Sequence, residues 1–163
     1  MESKAKLLGH PVHPMLVVVP LGAFIAAVLF DALYLWQRVP TFAAVGYWNI
    51  AAGVAGGLLA AVFGLIDWLA IPARTRAKRI GLLHGVSNVV VIAAFALAWF
   101  ARRGSIDVAP TPAIFVVEVL ALALGTVAGW LGGELVDRLG VGVDDGANLN
   151  APSSLSGRAA RSA

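Results

Sequence analysis

Four times within 163 residues the chain runs apolar for about twenty residues or longer, and few folds are compatible with that. The runs cover roughly 15–36, 43–69, 80–100 and 112–136. At about 1.5 Å per residue each reaches across the roughly 30 Å hydrocarbon core of a bilayer. Composition agrees, because 60% hydrophobic and 13% charged residues is too apolar for an ordinary soluble domain. The expected fold is all-α, an integral membrane four-helix bundle spanning residues 1–143. Residues 144–163, dominated by Gly, Asn, Asp, Ser and Ala, read as a disordered cytoplasmic tail. Lys4 and Lys6 could form the n-region of a signal peptide. The run behind them is too long for one and carries Asp31 near its end, so the first span is expected to be retained.

What the chain lacks narrows the chemistry. With no cysteine there are no disulfides, thiolate metal sites, covalently attached c-type haem or cysteine-ligated iron–sulfur clusters. The net charge of +3 carries no nucleic-acid meaning, because the basic residues flank the spans. No Ser/His/Asp hydrolase constellation assembles, and no glycine-rich loop follows a strand to cradle phosphate. Four spans put both termini and the middle connection on one side. That side holds Lys4, Lys6, Arg74, Arg76, Lys78, Arg79, Arg138, Arg158 and Arg161, against Arg38, Arg102 and Arg103 on the other. The bias predicts both termini in the cytoplasm, with the chain in the inner (plasma) membrane.

Within the spans, Pro20 is expected to kink the first helix one turn in. Gly53-Gly57-Ala61 and Gly56-Ala60-Gly64 in the second span, and Ala121-Gly125-Gly129-Gly133 in the fourth, read as small-residue stripes for close helix packing. Tyr34 and Trp36 suit the headgroup belt.

Topology brings polar residues to one level. His10 and His13 sit between prolines in Gly9-His10-Pro11-Val12-His13-Pro14, just ahead of the first span. Asp67 ends the second span on that side, His84 begins the third with Asn88 on the same face, and Glu134 ends the fourth. Trp68 and Trp130 flank the level. Three readings fit it. In the first, His13 and His84 hold a b-type haem axially, with His10 nearby, Asp67 and Glu134 as supports, and Arg74, Arg76 and Arg79 meeting the propionates. The second gives His10, His13, His84 and Glu134 to a transition metal. In the third, hydrogen bonds at this level tie the helices together and bind nothing. A different class of function is a small proton or ion permease through Asp31, Asp67, Glu118 and Glu134. A purely structural subunit with glycine faces for other spans is another. Asp31 and Glu118 form a second polar level near the opposite face, for Arg102 or Arg103 to neutralise. The one expected environment common to all of these readings is the lipid bilayer.

Leu8-Gly9-His10-Pro11-Val12-His13-Pro14-Met15, Gly64-Leu65-Ile66-Asp67-Trp68, Leu83-His84 with Asn88, and Gly129-Trp130-Leu131-Gly132-Gly133-Glu134 occur in this order. Together with Gly140-Val141-Gly142-Val143 they resemble the bacterial four-span membrane family called domain of unknown function 2231. The resemblance runs from Leu7 to Val143 and implies the four-span fold. Some members carry a Rieske-type iron–sulfur domain, which implies a redox setting. This chain has no cysteine for such a domain, so the resemblance implies a separate redox partner protein.

Overall fold

A computed structural model describes residues 1–160, the side chain of Ile106 excepted. Its four long helical segments are Val12–Gln37, Pro40–Ala70, Arg76–Arg102 and Pro112–Arg138, each long and apolar enough to cross a membrane. The chain enters through a two-residue antiparallel pairing of β1 (Lys6–Leu7) with β2 (His10–Pro11). Leu8 and Gly9 turn it with φ of 51° and 86°, the positive values that a tight hairpin turn demands. The first span is α1 (Val12–Leu16) and α2 (Val18–Gln37), broken at Val17. Pro20 accounts for the break: it has no N–H for the carbonyl of Leu16, and its ring crowds that carbonyl. The interruption falls three residues before the proline, and Val17 itself keeps helical angles, φ −64° and ψ −17°.

The next span, α3 (Pro40–Ala70), begins with proline at its first position, where the missing N–H costs nothing. The third, α4 (Arg76–Arg102), starts one turn earlier than its apolar run because the Thr75 side chain accepts from the Lys78 N–H and caps it. In α5 (Pro112–Gly133) Thr111 does the same for Ile114, and a π-helical turn, Glu134–Arg138, extends the span. Consecutive spans pack side by side, and α2 also lies against α5. The first and third spans meet diagonally through their side chains. Between them lies the core of Phe24, Ala27, Ile50, Val91, Phe95 and Ala121, with the Phe24 and Phe95 rings stacked at 4.0 Å. Leu21, Leu29, Leu58, Leu97 and Leu120 point outward and are exposed, as a lipid-facing surface requires.

Of the three small-residue stripes, Gly56-Ala60-Gly64 lies at a close contact, with Gly56 against Val19, Ala60 buried and Gly64 against His13; the other two need correction. In α3 the buried face is Gly46, Ile50, Gly53, Gly57 and Ala60, while Ala61 is exposed. In α5 Ala121 and Ala128 are buried and Gly125 meets Val91, but a Cβ on Gly129 or Gly133 would meet nothing. Steps of four residues drift by about 40° each around a helix of 3.6 residues per turn, so these two stripes leave the contact face at Ala61 and at Gly129 and Gly133. The faces instead alternate steps of three and four.

Residues 144–160 make turns and one short 3-10 turn, Ser154–Ser156, against the N-terminal segment. The Met1 ammonium donates to Gly140 O at 2.8 Å, Gly142 N–H donates to Met1 O, and Lys6 pairs with Asp144. The last three residues of the expected tail, 161–163, lie outside the described residues.

Candidate functional site: a facing histidine pair

His13 lies in the first turn of α1 and His84 in the third turn of α4, and their rings face each other with centroids 6.1 Å apart and planes at 85°. Each imidazole uses Nδ1 in the same way. His13 Nδ1 lies 2.9 Å from Ala60 O on α3, and His84 Nδ1 lies 2.8 Å from Ala128 O on α5. A carbonyl oxygen only accepts, so Nδ1 carries the proton in both rings and Nε2 keeps its lone pair. Helix packing makes room for the rings. A Cβ on Gly64 would lie 2.9 Å from His13, and one on Gly132 would lie 3.1 Å from His84. Asn88, one turn after His84, donates its amide to His84 O at 2.9 Å and stands 3.3 Å from His84 Nε2. Both rings are half-buried.

The other expected members of this level have different partners. His10 is exposed, with Nε2 3.3 Å from Ser154 Oγ. The Glu134 carboxylate takes Arg76 at 2.6 Å. Asp67 accepts from Ser3 Oγ at 2.8 Å and from the Lys4 N–H at 2.7 Å, which fastens the N-terminal strap to α3. Trp68 donates to Lys78 O, and the Lys78 ammonium lies 4.0 Å over its ring. Trp130 is 66% exposed and faces outward. Arg74 and Arg79 are exposed. Among the described residues no three His, Asp or Glu side chains come together as a metal cage, so the four-ligand set of His10, His13, His84 and Glu134 is not assembled. What the structure does assemble is the pair His13 and His84, with Asn88 beside it.

At the other end of the bundle is a second polar centre, fully buried. Arg102 donates through Nη1 and Nη2 to both oxygens of Asp31, at 2.6 and 3.0 Å. Its remaining donors go to Glu118 Oε1 at 3.4 Å, Ala43 O at 2.9 Å and Val108 O at 2.7 Å. All five N–H groups of the guanidinium are thereby spent, and Glu118 Oε2 has no hydrogen-bond partner among the described residues. Of the two arginines named for this level, Arg102 fills the role. Arg103 instead lies over the rings of Trp99 and Phe100 at 4.0 and 4.4 Å.

Sequence reasoning missed the carbonyls of Ala60 and Ala128 and the seat at Gly132, and named Gly64 as a helix-packing residue without linking it to His13. Comparison with known proteins adds a family and nothing finer. A family model described as "Predicted membrane protein (DUF2231)" matches residues 9–145. No curated protein and no solved structure matches the chain.

Proposed function

Since this chain belongs to the DUF2231 family of predicted membrane proteins, we propose a function from its own geometry: it is an electron-transfer component of the membrane that holds a b-type haem between His13 and His84. The observation that carries this reading is the pair of neighbouring imidazoles with Nδ1 engaged on helix carbonyls, which leaves Nε2 as the nitrogen to ligate. Such carbonyl contacts fix tautomer and ring orientation, as partners of a ligating histidine do. The two rings come from different spans with centroids 6.1 Å apart, so both are neighbours of the one place where the group would be held.

The donor set favours haem over a bare ion. Two protein ligands leave a transition metal short of its usual four or more. A haem iron brings four nitrogens of its own and asks the protein for axial ligands only. His13 and His84 would hold it, the exposed Arg74 and Arg79 would be the cations for its propionates, and Asn88 would give up its 3.3 Å contact with Nε2. When bound, the group supplies one-electron redox chemistry, exchanged with a separate partner protein. The Lys/Arg distribution supports a location beneath the cytoplasmic leaflet of the inner membrane. A permease needs a polar route between the two levels, and the intervening layer is apolar.

A structural reading has one observation in its favour, since the two Nδ1 contacts tie spans together without any cofactor. Absorbance spectra of the purified protein, oxidised and then reduced, separate the two. A haem spectrum that changes on reduction is expected, and His13→Ala or His84→Ala should each abolish it. Protein free of haem and of transition metal, with those variants altering only thermal stability, would remove the redox reading.

A further inference from the structure

Three contacts join the first and third spans across the bundle, and all three link residues 71 positions apart: His13 with His84, Phe24 with Phe95, Asp31 with Arg102. The second and fourth spans correspond at a separation of 68. Ala60 and Ala128 each face an imidazole Nδ1, and Gly64 and Gly132 each make room for that ring. Buried Ile50, Gly53 and Ala60 answer to buried Glu118, Ala121 and Ala128. The sequence carries the same register. His13, Val18, Val19, Ala23, Phe24 and Ala27 recur as His84, Val89, Val90, Ala94, Phe95 and Ala98. Two unrelated helical hairpins would have no reason to agree in identity, burial and contact at one offset along each pair of helices.

We infer that the bundle is two copies of one two-span unit related by a pseudo-two-fold axis, and that Asp31, Arg102 and Glu118 are the key that makes the first unit pair with the second. The inference does not rest on the haem reading. On the axis, histidine against histidine and phenylalanine against phenylalanine are self-complementary, and they would serve equally in a pairing of like units. The charges would not. Two first units would bury an Asp31 against its twin with no cation. Two second units would bring Arg102 against Arg102 and lose the carboxylate that takes two of its donors. The seat itself is asymmetric: a Cβ on Gly46 would collide with the Asp31 carboxylate, whereas the equivalent place in the second unit is Ile114.

The test moves the key to its image in the full-length chain. Asp31→Arg and Arg102→Asp are made singly, then together, then with the rest of the seat exchanged as well: Ile50→Glu, Glu118→Ile, Gly46→Ile and Ile114→Gly. Folded yield in mild detergent and the midpoint of helix loss on heating are read for each. The single variants are expected to lose roughly tenfold or more of the folded yield. The double swap should recover part of it, and the six-residue image variant should recover more, to within about twofold of wild type. An isolated ion pair predicts the opposite order, because a glutamate placed at an apolar core position then only adds cost. An image variant no better than the double swap, or single variants as stable as wild type, would overturn the inference.

Discussion

Two glycines decide where the imidazoles lie. Gly64 and Gly132 each occupy a place where one more carbon would press on a ring, at 2.9 and 3.1 Å. Gly64→Ala is expected to destabilise the protein by about 1–3 kcal/mol, in the range of core overpacking, with Gly132→Ala costing less. Thermal unfolding checks the order, and a shifted haem band in the same variants would tie it to the rings. The buried guanidinium gives a sharper prediction. Arg102→Met alone strands two carboxylates and should cost about 3–5 kcal/mol. The triple variant Asp31→Leu, Arg102→Met, Glu118→Leu should return to near wild-type stability, because a buried ion cluster contributes little net stability over a well-packed apolar one. Denaturant titration of the two proteins side by side decides it. Asp67 and Glu134 show why depth alone misassigns carboxylates: a strap amide or a neighbouring arginine is as near as an imidazole and binds more simply.

At the scale of elements, the N-terminal strap is the part that responds to pH. Lys6 hydrogen-bonds Glu2 and holds that carboxylate below its ordinary value, helped by the Asp145 N–H. Asp144 and Glu2 in turn hold the Lys6 ammonium above its ordinary value. A depressed acid contributes stability above its unfolded value and loses it as pH falls through the folded one. A raised base keeps its contribution until pH climbs through its own folded value. The strap is therefore expected to stay docked across the neutral range and to loosen when pH falls below the carboxylate range. Corrected for the intrinsic effect of pH on exchange, the protection of the amides of residues 2–10 should fall there while that of α2 to α5 does not. Helix ends follow the same local logic. Thr75 and Thr111 set two starts through their side chains, and only the first of these lay outside the apolar run that announced the span.

For the whole molecule, the four crossings were legible because the bilayer demands length and hydrophobicity, and both are written residue by residue. The meeting of His13 and His84 was legible too, because an even number of crossings returns both to one end. The seats beneath them were legible only in part: Gly64 ends the Gly56-Ala60-Gly64 ridge, but a backbone carbonyl leaves no mark in sequence and the stripe that ends at Gly133 points off the contact face. One signal was available: the 71-residue recurrence of histidine, phenylalanine and alanine picks out the inward face of two helices at once. The orientation of the bundle has a direct check. Reporters that work only in the cytoplasm should be active at either end of the chain and silent when placed in the 103–111 loop. The fully buried pairing of Asp31 with Arg102 has a consequence for biogenesis. Ribosomes deliver the aspartate 71 residues ahead of its counter-ion. Until the third span arrives, the newly inserted first hairpin carries an uncompensated carboxylate, so it must linger beside the insertion machinery as an unfinished half.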